Sequence, residues 1–485
     1  MGNWRRYGNN RDSDKVTWLI MSKAESLRSK YPEFIYENYT YGLQGKNLEI
    51  CFHFSIPPDI FFSPKIIIEN VSEIRLKEIG DSNLKNLIFH LGLAEALSYW
   101  KSTCSQTIKI SAGTLNKEQV KWWKDLIRNG MGQFFYENKI DFRDDKFIDL
   151  VPDNFSAFKL SFSDAILSDQ EKYLVPIGGG KDSIATLEIL KRAGKNIRCF
   201  SLNPGESSGK IIKIAKCKNP IIVRRTIDGK LLELNKKGFL NGHTPFSAYL
   251  AFLSVLSGVI FNYKYLAFSN EKSSNEGNVM YLGKEINHQY SKSYDFEKKF
   301  RNYSKKYLAG NIEYFSFLRP LYELQIAKIF SKFSKYFNAF LSCNKSYNTS
   351  LQLKSARVKW CGMCPKCLFI FIILYPFIDK KTLLKIFRKD LFREDKLITI
   401  MQNLTSEKGF KPFECVGTIK ESIIALFLDQ QKNTDKDTYL LAYFSRKILP
   451  KHKHLDAKSA QLMKSWNRQN FLQNNLAKLL KAYLT

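Results

Sequence analysis

Hydrophobic and polar residues alternate with a period of two through Asn47-Leu-Glu-Ile-Cys-Phe-His-Phe54, the mark of a half-buried strand. Ile56-Pro-Pro-Asp59 reads as the turn that follows, and similar runs between Tyr31 and Glu69 predict further strands. The period then lengthens. Leu87–Trp100 and Asn116–Phe135 repeat apolar residues at helical spacing, with Val120, Trp123, Ile127 and Met131 on one face. Trp100, Trp122 and Trp123 lie in these segments and are expected in the core rather than against a ligand. Residues 1–165 are read as an N-terminal α+β domain, opened by a polar, mobile arm over residues 1–15.

From Lys172 strand and helix patterns alternate. Tyr173–Ile177 predicts a strand, and Ser183–Arg192 a helix with Ile184, Leu187 and Leu190 on one face and Gly194 as its cap. Strands are predicted at Ile197–Leu202, Pro220–Arg224 and Tyr265–Ser269. Thr244-Pro245 supplies an N-cap and a first-turn proline for a helix through Val259. This alternation predicts an α/β fold, a doubly wound, Rossmann-like parallel sheet, over residues 166–375. Pro176 is at odds with a central strand, because it removes a ladder hydrogen bond. Residues 376–485 read as a small, basic, helical C-terminal domain, and no internal repeat is visible.

A chain of 485 residues exceeds one ordinary core, which agrees with two or three domains. Its 76 basic and 46 acidic side chains give a formal charge of +30. Clustered Lys and Arg would suggest a nucleic-acid partner, but here they are spread along the chain, which suits a small polyanionic substrate equally. The opening MGNWRRYGNNRDSDK has no apolar stretch of a signal peptide. Leu368–Ile378 is too short to cross a bilayer, and Phe246–Phe261, also short and holding three serines, is expected as a buried helix of the α/β core. A cytoplasmic protein with reduced thiols and no membrane insertion is therefore expected. The pattern indicates no oligomeric state.

Between a predicted strand and a predicted helix lies Gly178-Gly179-Gly180-Lys181-Asp182-Ser183. A glycine-rich turn there lets backbone N–H groups wrap phosphate oxygens, and the helix N-terminus adds positive potential. The Walker A spacing is absent. The loop resembles the PP-loop of the ATP pyrophosphatase superfamily, Ser-Gly-Gly-x-Asp-Ser, with Gly178 in place of the first serine. That resemblance implies ATP cleaved between its α- and β-phosphates. The glycine amides and Ser183 would grip pyrophosphate, Lys181 would offset its charge, and Asp182 would hold Mg²⁺.

Cys361-Gly-Met-Cys364-Pro-Lys-Cys367, with Cys343 eighteen residues upstream of Cys361, offers four thiolates suited to tetrahedral Zn²⁺. An iron–sulfur cluster or a redox-active thiol uses the same residues. The arrangement is similar to the structural zinc site of 7-cyano-7-deazaguanine synthase, another PP-loop enzyme. Cys51, Cys104, Cys199 and Cys217 are expected as ordinary buried thiols.

Polar side chains crowd the stretch after Tyr265–Ser269, in Asn270-Glu-Lys-Ser-Ser-Asn-Glu-Gly-Asn278 and Glu285-Ile-Asn-His-Gln-Tyr-Ser-Lys-Ser293. Loops at this edge of an α/β sheet line the ligand crevice. Together with Gly92–Lys101, Asn241-Gly-His-Thr-Pro-Phe246, Phe317-Leu-Arg-Pro-Leu-Tyr322 and Lys411–Thr418, these segments resemble the ATP-dependent UDP-N-acetylmuramoyl-L-alanyl-L-glutamate epimerases of peptidoglycan synthesis. The resemblance covers roughly residues 85–425. It implies adenylation of the substrate carboxylate, loss of the α-proton from the L face and its return from the D face. General acid–base groups are then needed. Candidates are His288, Glu271, Glu276, Glu414 and Cys415, with His288 the first choice as base and Cys415 as the opposing group. Asn270, Asn275, Asn287, Gln289, Ser291, His243 and Arg319 are candidate contacts to the nucleotide-sugar peptide. The rival readings are a PP-loop amidating or nitrile-forming enzyme, and a basic nucleic-acid-binding or RNA-modifying protein with a zinc knuckle.

Overall fold

The computed structural model describes residues 4–5, 19–20, 22–153, 170–343, 359–407, 410–433 and 438–484. Apart from Trp4–Arg5, the polar arm expected over residues 1–15 lies outside them. The alternating segments form β1 (Glu33–Gln44), β2 (Asn47–Ile56), β3 (Ile60–Phe62) and β4 (Lys65–Ile68), followed by β5 (Thr107–Ile110) and β6 (Asp149–Pro152). The strand–helix region contributes β7 (Lys172–Pro176), β8 (Asn196–Leu202), β9 (Ile221–Thr226), β10 (Tyr265–Phe268) and β11 (Glu313–Ser316).

All eleven join one sheet, in the order β11-β10-β7-β8-β9-β4-β2-β1-β5-β6, with β3 beside β2. The five strands from β11 to β9 are mutually parallel, the arrangement expected of the phosphate-loop half. The sheet then continues across residue 165, because β9 pairs antiparallel with β4, Val223 opposite Ile68. Pro176 is the last residue of β7 and faces Phe200 on β8. On its other side the pairing with β10 ends at Leu174, so the missing N–H falls beyond that ladder.

Helices cover the sheet. α1 (Asp81–Trp100) and α2 (Lys117–Gly130) occupy the segments expected to be helical, but the second stops at Met131 and restarts as α3 (Gly132–Glu137). Glycines flank the break, and a Cβ on Gly130 would lie 2.8 Å from Pro245 Cβ. Trp100 and Trp123 are buried, whereas Trp122 is only partly covered. α4 (Lys181–Arg192) begins two residues before the predicted start, since its N-cap is Gly180, which has no side chain to announce a cap. α5 (Phe246–Phe261) is almost wholly buried, and Pro245, rather than Thr244, sits at its cap. α6 (Tyr294–Tyr307), α7 (Glu323–Ser331), α8 (Pro365–Leu374) and α9 (Ile419–Lys432) follow. The core around α4 and α7 continues without interruption into α8, α9 and helices Leu455–Lys464 and Asn474–Lys481. No helix of the described residues is long and apolar enough to cross a membrane.

One cysteine expectation is corrected. Cys199 on β8 and Cys217 are joined in a disulfide, their Cα atoms 6.3 Å apart, within bridging reach. Cys104 is a free, buried thiol as expected, whereas Cys51 is free but only partly buried.

Candidate functional site

The phosphate loop lies where β7 delivers the chain into α4. Gly179 has φ +101°, a conformation open to glycine and strained for other residues. Its carbonyl accepts the Leu341 N–H at 2.8 Å and the Ser207 hydroxyl at 3.2 Å, which pins the turn from behind. Lys181 and Asp182 thereby occupy the first turn of α4, beside the N–H groups at its N-terminus. Ser183 Oγ donates to Gly180 O at 2.9 Å. A cavity of about 790 Å³ opens beside Gly178, over the carboxyl ends of β7, β8 and β9, lined by Phe200, Leu202, Arg225, Phe246 and Leu250 among others. Arg225 is fixed there by Glu95 at 2.8 Å.

Charges converge behind the loop. The Lys181 ammonium is buried and pairs with both Asp182 and Glu323. Lys366 Nζ lies 3.6 Å from the other oxygen of Glu323 and donates to the Cys415 carbonyl, while its N–H donates to Glu414 at 2.7 Å. Burial alone would raise the Glu323 carboxyl, but Lys181, Lys366 and Lys292 outweigh it and hold it below the usual range. Glu271 goes the other way. Burial, reinforced by Glu323 and Asp182, pushes its carboxyl well above the carboxylate range, toward a neutral acid.

Lys292 connects these groups to the candidate acid–base pair. Its Nζ is 3.2 Å from Cys415 Sγ. Burial would favour loss of its proton, yet Cys415, Glu271 and Asp182 keep the ammonium above the ordinary lysine range. Cys415 Sγ lies 3.9 Å from His288 Nε2. His288 Nδ1 meets Gln133 Oε1, and the Gln133 amide is oriented because its Nε2 donates to Glu137 at 2.7 Å. Nδ1 therefore carries the hydrogen and Nε2 presents its lone pair to the sulfur. Burial, then Lys292, Lys411 and Lys366, lower His288 to about 3, so the imidazole is neutral at physiological pH. The His243 ring lies 4.4 Å from it, centroid to centroid.

Of the predicted residues, Lys181, Asp182, Glu271, His288, His243 and Cys415 thus belong to one neighbourhood. Others are committed to the scaffold. Glu276 Oε1 accepts from Lys411 Nζ and the Ile419 N–H, and Glu414 from the Lys366 N–H, clamping residues 411–419 over the site. Asn270 bonds Ser316, Asn275 bonds Tyr294 N–H and Lys272 O, and Asn287 bonds Ser274 O and Gln289 N–H. Gln289 and Ser291 are buried, and Gln289 Oε1 has no hydrogen-bond partner among the described residues. Arg319 is fully buried on Glu297, Ser274, Ser316 and the carbonyls of Glu271 and Lys292.

Sequence reasoning missed Lys292, Glu323, Lys366 and Gln133. The first three carry weak signals: Lys292 lies inside the polar run, Glu323 opens α7 just after Tyr322, and Lys366 sits between two cysteines. Gln133 carries none, as its role depends on the break before α3.

Cys343, Cys361, Cys364 and Cys367 meet beside this network, their four sulfurs all within 4.8 Å of one another. Cys343–Cys364 and Cys361–Cys367 are 4.0 and 3.6 Å apart, near the roughly 3.8 Å edge of a tetrahedron with 2.3 Å metal–sulfur bonds. The cap of α8 forms the cradle, with Cys364 at its N-cap and Cys367 N–H donating to Cys364 Sγ at 3.4 Å. Four such thiolates fit a metal ion.

Fold and site together define an α/β protein with a glycine-rich strand-to-helix loop and a cluster of buried titratable side chains beside it. Comparison with known proteins refines the class. Residues 25–317 match the MurL N-terminal domain and residues 339–459 the MurL C-terminal domain. The chain belongs to the MurL family. A UDP-N-acetyl-alpha-D-muramoyl-L-alanyl-L-glutamate epimerase of Micromonospora sp. is 31% identical over 349 residues, 72% of this chain and 75% of that protein. One from Xanthomonas oryzae pv. oryzae is 30% identical over 363 residues, 74% and 78% respectively. One from Salinispora tropica is 36% identical over 261 residues, 54% and 56%.

Proposed function

We propose that this chain is an ATP-dependent epimerase that inverts the terminal L-glutamate of UDP-N-acetylmuramoyl-L-alanyl-L-glutamate, a cytoplasmic step of peptidoglycan precursor synthesis. The observation that carries this reading is the meeting of Glu271, Lys292, Cys415 and His288 immediately behind the phosphate loop. ATP's nucleoside takes the cavity beside Gly178. The loop amides, Ser183 and Lys181 would hold the pyrophosphate, and Asp182 would hold Mg²⁺, which would supply charge neutralisation of the phosphates.

An α-proton beside a carboxylate is barely acidic, because its removal would place two negative charges on one group. Attack of that carboxylate on the α-phosphorus makes an acyl-adenylate and expels pyrophosphate. The charge is then masked and the proton can leave. Two groups flanking the carbon would each reach it at about 3–3.5 Å, hence stand about 6 Å or more apart. Cys415 and His288, at 3.9 Å, are too close to do so and act from one face. Neutral His288 is the base of that face, and the buried acid Glu271 serves the other.

The test is isotopic. In D₂O the D-glutamate product should gain one deuterium at its α-carbon, only with ATP and Mg²⁺, with AMP and pyrophosphate released rather than ADP. AMP release without deuterium at that carbon would leave the phosphate loop standing and overturn the epimerase.

We assign zinc to the four cysteines, in a structural role. Metal analysis of purified protein should find one zinc per chain. Cys364→Ser should lose it together with much of the folded stability, since binding a structural ion contributes folding free energy directly. Protein that folds with neither zinc nor iron would refute the site.

A further inference from the structure

Cys415, His288 and Gln133 stand in the order nucleophile, base and orienting group. The sulfur is partly exposed, and Nε2 of a neutral imidazole faces it at 3.9 Å, a separation loose enough to tighten around a substrate. The opposite ring nitrogen is held by an amide oxygen whose direction Glu137 fixes. This is the geometry of an activated thiol, in which the base accepts the sulfur's proton and a third group fixes its tautomer. Lys292 adds an ammonium 3.2 Å from the sulfur.

We propose that Cys415 is a covalent nucleophile that takes the glutamyl acyl group from the adenylate, so that inversion occurs on a thioester. The inference rests on the epimerase reading and adds a step to it. Sγ attacks the activated carbonyl carbon as its proton passes to His288 Nε2. A C–S bond forms, the C–O bond to phosphate breaks, and AMP leaves with the electron pair. The imidazolium returns its proton to solvent. A sulfur donates into the carbonyl less than an oxygen does, so the α-proton of a thioester is more acidic than that of an oxygen ester. The α-carbon is then two bonds from Sγ, within reach of the neutral His288 that touches the same sulfur. Finally water adds to the carbonyl, the C–S bond breaks, and the thiol regains a proton. No oxidant or further reactant is required. The close approach of Cys415 and His288, which prevents them from flanking one carbon, is what this chemistry needs.

Rapid mixing of enzyme, ATP, Mg²⁺ and the UDP-muramoyl dipeptide, quenched in acid and read by intact mass, should show an adduct of substrate less one water. Peptide mapping should place it on Cys415, and hydroxylamine should remove it. Cys415→Ala should lose the adduct and about 10³-fold or more of the α-deuteration rate, while ATP–pyrophosphate exchange, which requires only adenylation, continues as the sign of a folded site. Gln133→Leu should slow adduct formation while exchange again continues. Deuterium incorporation in the wild type with no adduct at any time, or Cys415→Ala deuterating within tenfold of wild type, would overturn the thioester and leave the epimerase intact. Absence of substrate-dependent pyrophosphate exchange in the wild type would instead sink the epimerase reading itself.

Discussion

Replacement of Asp182 by alanine is expected to lower AMP formation by about 10²–10³-fold or more while the protein remains folded. The carboxylate stands in the first turn of α4, about a quarter exposed and, among the described residues, paired with Lys181 alone. Its loss leaves Lys181 still paired with Glu323, so the cost in stability should be no more than about 1 kcal/mol, as for a partly exposed ion pair. The cost in chemistry is much larger, because charge on the transferring phosphates is offset by groups aimed at it in advance. Asp182→Asn, which keeps the shape without the charge, should be nearly as inactive. An Asp182→Ala protein that consumes ATP at the normal rate would remove the loop from the phosphate site.

Arg319→Met should have the largest effect on stability, about 3–5 kcal/mol. All five N–H donors of the guanidinium are in use inside the protein, on Glu297, Ser274, Ser316 and the carbonyls of Glu271 and Lys292. Methionine fills much of the volume but leaves Glu297 as an unpaired charge in a site with no solvent access. Glu297→Leu added to it should recover most of the loss, since removing both members of a buried pair is far milder than removing one. Activity should not recover with it, because Arg319 also holds the backbone from which Glu271 and Lys292 project. Denaturant midpoints of the single and double variants provide the measure. An Arg319→Met protein of normal stability with only a raised KM would instead return this arginine to the substrate-contact role that the sequence suggests.

The strand–loop–helix geometry around Gly178–Gly180 was legible because its parts are contiguous: strand, three glycines and helix N-terminus follow one another. The four-cysteine cluster was legible too, three of its members within seven residues and Cys343 upstream, and the four sulfurs do converge. The polar run from Asn270 to Ser293 was legible as a cluster beside the glycine loop, but residue type could not separate its two populations. Asn270, Asn275 and Asn287 hold the loop in shape, whereas Lys292 and His288 meet Cys415 and Glu271 is buried close to Lys292.

What the sequence determined by itself is therefore periodicity and local turn chemistry: the α/β class, the glycine loop between strand and helix, the cysteine cradle at the start of α8 and the helical end of the chain. Tertiary structure decided the rest. Pairing of β9 with β4 merges the two sheet regions, and no period in either strand names its partner. Cys415 meets Lys292 from 123 residues away and His288 from 127, while Gln133 reaches His288 across 155. Protonation follows from the same packing, since burial and neighbouring charge raise the Glu271 carboxyl and lower the His288 imidazole. A side chain's identity sets what it can donate or accept, but its solvent and its neighbours set which form it holds, and those are properties of the folded chain alone.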